Sequence, residues 1–468
     1  MALLDSHQDP RDVIPESIFR AYDIRGIVES ELSEANVRLI ARAIGSEAID
    51  QGIRHLLVAF DGRLSSPVLS QSLINGLLNT GCDVTNLGCA PTPLLYFGTY
   101  FTDIGSGVML TASHNPANYN GLKIVFNQAC LADNQIQLLK QRIEQGRFHA
   151  GKGRLHEQNL VADYIATIDE IISLQRRPRV VIDCGNAVPG LIAPTLFSSI
   201  GCEVIPLYCE VDGHFPNHHP DPTVPENLVA LAELVIESGA DLGIAFDGDG
   251  DRLGLIDEKG QFVNADSLLQ LLVADIAARH PGASIVFDVK CSTRLARLIE
   301  NLGCKPVMHR SGHSFMKQAM QETGAPLGGE FAAHIFLKDR WYGFDDGLYT
   351  AARILELLSR SPAPVSEQFA PFQGGFSTAE ISIPVTEEEK FGLMANIEAA
   401  ADFPDASVIT IDGLRVEFED GWGLIRASNT SPALLLRFEA DNLARLTAIQ
   451  TRFKALIAKA DNSLNLDF

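Results

Sequence analysis

A chain of 468 residues is long for one hydrophobic core and fits three or four domains. Its 46% hydrophobic and 21% charged residues are ordinary globular composition, but 37 basic against 59 acidic residues leave a net charge of −22. That balance argues against a nucleic-acid or anionic-membrane surface, which needs a basic stripe, and leaves room for an anionic small substrate held by a local cluster of Arg and Lys.

The opening residues MALLDSHQDPRD are too polar for a signal peptide, and no apolar run approaches a membrane span, so a soluble cytoplasmic protein is expected. FRAYDIRG follows, with Arg20, Tyr22 and Arg25 close to apolar residues. At His55 begins HLLVAFDGRLSSPVLSQSLINGLLNTGCDVTNLG, and two further segments, from Val180 and from Ser284, read as copies of the same unit. Each has an apolar strand ending in Asp (Asp61, Asp183, Asp288), a polar loop and a helix-length amphipathic segment. A Gly-Cys pair follows (Gly81-Cys82, Gly201-Cys202, Gly303-Cys304), then a second strand. This repeated βαβ-type pattern predicts three α/β domains with largely parallel sheets. The eight cysteines contain no CxxC pair, and most lie in or beside apolar runs, as buried reduced thiols do.

Each copy is followed by one unusual loop. After the first, GVMLTA (Gly107 to Ala112) reads as a short buried strand, and Asn115-Pro116 and Asn120-Gly121 are turn signals. Ser113 is therefore expected on a loop at the carboxyl end of a strand, with Lys123 shortly beyond it. Alone, that loop reads as a structural turn whose hydroxyl bonds its own backbone. After the second copy, DGDGDR places Asp247, Asp249 and Asp251 at alternate positions between strand-like LGIAF and LGLID; in extended backbone they would share one face. Three carboxylates so close repel, and a divalent cation is the economical explanation beside a plain solvated turn. An EF-hand loop would need glycine where Arg252 stands. A D-x-D phosphatase normally has a small or β-branched residue where this chain has Asp251.

The third copy carries Lys290 just after Asp288, then HRSGHSFMK with His313 and Lys317, then GGEFAAH. In that last loop Glu330 could accept hydrogen bonds from sugar hydroxyls, and His334 could handle protons near neutral pH. SPAPVSEQ (Ser361 to Gln368) resembles a connecting stretch. Beyond it FSTAEISIPV, a helical segment around Glu387 to Ala400, Asp-Gly turns at 412–413 and 420–421 and an amphipathic helix from about Asn442 predict a small α+β domain. Its RASNTSP loop offers Arg426 for bidentate phosphate contact, with Ser428, Asn429 and Thr430 to complete an anion nest. Ligands bind beyond the carboxyl ends of strands in open α/β sheets, so equivalent loops from similar domains could converge on one cleft.

TASHNP with NGLK, DGDGDR and RASNT-x-P in this order, together with KDRWYGFDDG from Lys338, resemble the α-D-phosphohexomutase family, and specifically its bacterial phosphomannomutase/phosphoglucomutase branch, over essentially the whole chain. The resemblance implies four domains around a deep central cleft: residues 1–158 with a phosphoserine loop, 159–261 with a metal loop, 262–373 with a sugar-binding loop, and an α+β domain, 374–468, with a phosphate-binding loop. It makes Ser113 the phosphoserine, holding Mg²⁺ together with Asp247, Asp249 and Asp251. Lys123, Arg25 and His334 join Ser113 in the catalytic set. Tyr22, Arg252, Lys290, His313, Glu330, Arg426, Ser428, Asn429 and Thr430 are the implied substrate contacts. The implied reaction is a reversible shift between hexose 1-phosphate and hexose 6-phosphate of mannose or glucose through hexose 1,6-bisphosphate, with a mobile fourth domain that holds the idle phosphate. The implied partners are hexose phosphates, with no nucleic acid or membrane, and the protein is expected as a monomer.

One departure touches substrate contact: the family's sugar loop usually has serine where this chain has Ala332. Two other classes stay open at this stage. One is a catalytically silent sugar-phosphate-binding protein. The other is a hydrolase, which would need a positioned water and base that the sequence does not identify.

Overall fold

A computed structural model of the chain describes residues 14–386, 388–428, 431–464, 466 and 468. The chain divides into two compact units, Met1–Leu268 with Ala332–Gln368 and Leu269–Phe331 with Phe369–Phe468.

In the first unit, the repeat anticipated from His55 forms strand His55–Phe60, helix Ser66–Leu78 and strand Asp83–Cys89, with the strands parallel. Strand Gly107–Leu110 pairs parallel on the other side of His55–Phe60. Two antiparallel neighbours, Tyr119–Phe126 and Ile24–Ile27, then extend the sheet. The second copy gives Arg179–Asp183, helix Ala193–Ser199 and Glu203–Leu207, again parallel, and Leu242–Phe246 pairs parallel with the first of these strands. Leu253–Asp257 folds back antiparallel onto Leu242–Phe246. Strand Ile335–Leu337 and helix Gly347–Leu358 complete this unit.

The second unit holds the third copy, in which Ser284–Asp288 is flanked on both sides by parallel strands, Lys305–His309 and Leu327–Gly329. It also holds an antiparallel sheet ordered Phe376–Ser377, Ala433–Ala440, Gly421–Ala427, Leu414–Phe418, Ser407–Ile409, with Ile381–Pro384 on Ala433–Ala440. Helices Lys390–Ala400 and Leu443–Ala460 pack on it through Ile397, Ile449, Phe453 and Ile457. The long helix starts where the sequence placed it, because the Asn442 side chain accepts from Arg445 N.

The repeated Gly-Cys pair has a backbone cause. Gly81, Gly201 and Gly303 have φ of 99°, 103° and 74°, a left-handed turn between helix and strand that disfavours a Cβ. The cysteines that follow are buried, and all eight cysteines are unbonded, five buried and three half-buried. The repeated Asp has a cause too: it ties down loops at the carboxyl ends of the strands in its sheet. Asp183 accepts from Gly185 N at 2.8 Å, and Asp288 from Ser311 Oγ at 2.6 Å and Phe331 N at 3.0 Å.

Two expectations need correction. SPAPVSEQ is not all connection: Val365–Phe369 is a short helix. The helix expected from about Glu387 runs from Lys390 to Ala400, and Glu387 itself lies outside the described residues. Among the described residues no helix is long and apolar enough to cross a membrane.

Candidate active site

Ser113 lies just beyond strand Gly107–Leu110, as expected, with φ +49°, a strained conformation for a residue with a Cβ. Its backbone N donates to Thr111 Oγ1 at 2.9 Å, and its carbonyl accepts from Arg63 Nη2 at 2.7 Å. Arg63 is 1% exposed, and its guanidinium also reaches Asn115 O, Pro116 O and Tyr119 O, while Nε donates to Asp61. Asp61, the last residue of the first repeat's strand signal, thus anchors the arginine that holds the serine loop.

The Ser113 hydroxyl donates to Asp247 Oδ2 at 2.6 Å. Asp247, Asp249 and Asp251 are fully buried, and each brings one oxygen within 4.8 Å of the others. They converge by a different route from the alternating extended backbone expected of DGDGDR. The segment is a turn, with Gly250 at φ +79° and both Gly250 N and Arg252 N donating to Asp247 Oδ1. Thr92, at the start of helix Thr92–Phe101, secures Asp249 through its hydroxyl at 2.5 Å and its N at 2.8 Å.

Lys123 sits on Tyr119–Phe126, and Arg25 on the adjacent strand faces Gly121, so the two side chains share one face of the sheet. Lys123 Nζ contacts Asp249 Oδ2 at 2.6 Å and Asp251 Oδ2 at 2.5 Å. Burial opposes the lysine's charge, but Asp249, Asp251 and Asp345 outweigh it and raise its pKa. For Asp247 burial and the charges of Asp251 and Asp249 act together and push its carboxyl well above the usual carboxylate range. Asp249 Oδ1 and Asp251 Oδ1 are buried and accept no hydrogen bond among the described residues. Lys123, with Arg252 Nε 3.9 Å from Asp247 Oδ2, is too little positive charge for three buried carboxylates beside Asp345, and the oxygen-only donor set fits a hard divalent cation.

Around this cluster, Arg25 is paired with Asp23 at 2.5 Å and reaches Asn115 Oδ1. Arg252 Nε donates to His334 Nε2 at 2.8 Å, and Tyr22 lies near enough to act electrostatically on both arginines. These residues all belong to the first unit. The other candidates belong to the second. There Lys290 Nζ lies 3.3 Å from Glu380, close enough to Glu330 and Arg426 to feel both charges. Arg426 Nε donates to Asp412 Oδ2 at 2.9 Å, an oxygen shared with Ser311 N. Buried Ser428 accepts from Ser431 N and Oγ, and His313 opens helix His313–Thr323. Asn429 and Thr430 lie outside the described residues.

Four segments match the phosphoglucomutase/phosphomannomutase family models: α/β/α domain I over residues 16–150, domain II over 162–260, domain III over 264–373 and the C-terminal domain over 380–456. The chain belongs to this family. It is 48% identical over 455 residues to phosphomannomutase/phosphoglucomutase of Pseudomonas aeruginosa, a match that covers 97% of this chain and 98% of that protein. It is 45% identical to a phosphoglucomutase of Neisseria gonorrhoeae across 95% of this chain and 97% of that one. A crystal structure of a phosphoglucomutase/phosphomannomutase family protein from Burkholderia thailandensis superposes with a TM-score of 0.92 at 44% identity, covering 97% of this chain and all of that one.

For this phosphoglucomutase/phosphomannomutase family member, the sequence pointed to Ser113, Lys123 and the three aspartates that the structure brings together, but missed their neighbours Arg63, Thr92, Thr111, Asp221 and Asp345. Asp221 illustrates the second kind: its Oδ2 meets Nδ1 of His114 in the serine loop at 2.8 Å, while burial and Arg252 push the His114 pKa down to about 4. Gly248 shows how closely the two loops pack, since a Cβ there would lie 2.3 Å from Ser113 O. Gly248→Ala is expected to lower kcat by about tenfold or more, because the loops must part by roughly an ångström. Steady-state kinetics across a Mg²⁺ titration check this, with a weaker metal requirement constant as the accompanying change.

Proposed function

We propose that this chain interconverts the 1-phosphates and 6-phosphates of glucose and mannose, with phosphorylated Ser113 as donor and a hexose 1,6-bisphosphate as intermediate. The observation that carries the proposal is the Ser113 hydroxyl 2.6 Å from Asp247, within a buried three-carboxylate cluster that fits a divalent cation.

In this scheme the bond between Ser113 Oγ and phosphorus breaks as the free hydroxyl of the hexose phosphate forms its own bond to phosphorus. The hydroxyl's proton passes to a base on this chain and then to the serine oxygen. The bisphosphate turns round, and its other phosphoryl group returns to Ser113. Asp247, Asp249 and Asp251 would hold Mg²⁺, which would supply Lewis-acid neutralisation of the transferring group. Lys123 and Arg25, sharing a sheet face, add positive charge that stabilises the phosphoryl oxygens in transfer. His334 offers a ring nitrogen for the proton. Glu330 accepts from sugar hydroxyls, Lys290 and Arg252 face phosphate or sugar, and Arg426 and Ser428, with Asn429 and Thr430, take the phosphate that is not transferred. Tyr22 and His313 complete the substrate contacts. Ala332 removes one hydroxyl from the sugar loop and leaves glucose and mannose, which differ only at C2, to be separated elsewhere. We place the protein in the cytoplasm as a monomer acting on free small molecules.

The test is conversion of glucose 1-phosphate and mannose 1-phosphate to their 6-phosphates, with a trace of glucose 1,6-bisphosphate. Turnover is expected with Mg²⁺ and lost after chelation. Release of inorganic phosphate in place of isomerised sugar would contradict the proposal and favour a hydrolase.

A further inference from the structure

The Asp-Gly turn at 412–413 lies against Arg426. We propose that Asp412 is a positioning residue: it holds the Arg426 guanidinium by Nε alone, so that the outer edge, Nη1 and Nη2, is kept for the substrate phosphate that is not transferred. The claim rests on the reading of Arg426 given above.

Backbone brings the pair together first. Strands Leu414–Phe418 and Gly421–Ala427 are antiparallel with Leu414 opposite Ile425, so Gly413 comes level with Arg426. Gly413 has φ +76°, and a Cβ there would lie 2.4 Å from Ile425 O and 2.7 Å from Arg426 Cβ. Only glycine lets the turn lie this close. Asp412 Oδ2 then accepts from Arg426 Nε at 2.9 Å. The same oxygen accepts from Ser311 N at 3.0 Å, and Ser311 Oγ donates to Asp288 Oδ2 at 2.6 Å. The carboxylate that meets Arg426 is therefore held from the third repeat as well as from its own turn.

Arg426 is 3% exposed, and its Nη2 is buried and makes no hydrogen bond among the described residues. A guanidinium only donates, and it keeps its charge at any working pH. A carboxylate that took Nε and Nη2 together would occupy one edge of the fork and compete with phosphate for it. Asp412 takes Nε and leaves Nη2 without an acceptor. A purely structural ion pair would satisfy its buried donors, because an unmet one is costly. A phosphate oxygen is the acceptor that this arrangement lacks, and it offsets the arginine's charge as well as its open N–H.

The experiment is calorimetric binding of glucose 6-phosphate to the full chain, beside steady-state kinetics, for wild type, Asp412→Ala, Arg426→Lys and the double variant. Asp412→Ala is expected to raise Kd and KM about tenfold or more while kcat stays within about threefold of wild type. Because Asp412 acts through Arg426, adding Asp412→Ala to Arg426→Lys should weaken binding by less than about twofold further. A ¹H–¹⁵N spectrum of the arginine Nε–H groups gives a reading on the wild-type protein itself, with Arg426→Lys used to assign the resonance. A slowly exchanging Arg426 Nε–H is expected there, whether or not Asp412→Ala folds. Wild-type Kd and KM in Asp412→Ala would overturn the proposal. So would single losses that multiply in the double variant, or an Arg426 Nε–H that exchanges at the rate of an exposed arginine. The same dependence of binding on Asp412 in a chain that isomerises no hexose phosphate would uphold the positioning role while removing the mutase reading.

Discussion

Ser113→Ala is expected to lower mutase turnover by about 10⁴-fold or more, because the variant has no oxygen from which to donate or on which to receive the phosphoryl group. The fold should survive. The residue is small and its hydroxyl makes one side-chain bond, to Asp247. Losing that donor leaves Asp247 a buried oxygen that a bound cation would satisfy, so binding of hexose phosphate should change far less than kcat. Single-turnover kinetics and calorimetric titration with glucose 6-phosphate separate the two. Wild-type turnover in the alanine variant would remove the phosphoserine from the scheme.

The second large effect is expected at a residue with no chemistry of its own. Arg63→Met should destabilise the first unit by about 3–5 kcal/mol, the range for removing one partner of a buried ion pair. Two costs combine. Asp61 is left buried without its counter-charge, and the carbonyls of Ser113, Asn115, Pro116 and Tyr119 lose their donor together. The serine loop, already strained at Ser113, should then exchange amide hydrogens faster over residues 113–119. A lowered first thermal transition with rapid loop exchange is the expected result. A shift of under about 1 kcal/mol would show that the strands on either side hold the loop without the arginine. Asp61→Asn combined with Arg63→Met should recover part of the loss, since it removes the stranded charge.

The contrast between these residues explains what could be read from the chain alone. The three repeats were legible because helix–strand alternation, a strand-ending Asp and a Gly-Cys turn each have a local cause, and the left-handed φ of Gly81, Gly201 and Gly303 is that cause made visible. The serine and aspartate loops were legible because they break the repeat with residues costly to bury. Arg63 was hidden because its value comes from carbonyls 50 to 56 positions away, and nothing in the local sequence FDGRL marks an arginine that will be enclosed. Asp345 was hidden for the same reason. It stood inside a quoted motif, but only the fold brings it within 3.1 Å of His334. The shape of DGDGDR was misjudged because alternation implies one face only in extended backbone, and the turn at Gly250 reaches the same convergence through hydrogen bonds to Asp247.

In the second unit the C-terminal sheet is tied to the third repeat. Arg415 donates to Val289 O and Cys291 O, and Arg437 to Lys290 O, so the C-terminal sheet is fastened to the segment that presents Lys290. Both guanidiniums also stack on Trp422, which is fully buried. Lys290 and the strand that carries Arg426 are thereby tied together through the C-terminal sheet.

The central claim is that a phosphoryl group passes through Ser113, and transfer of label tests it most directly. The protein would be incubated with Mg²⁺ and glucose 1,6-bisphosphate carrying ³²P, then digested and mapped. The scheme predicts label on the peptide that contains Ser113, and its full return to hexose phosphate when unlabelled glucose 1-phosphate is added. Label that never reaches Ser113, or that leaves it as inorganic phosphate, would contradict the scheme.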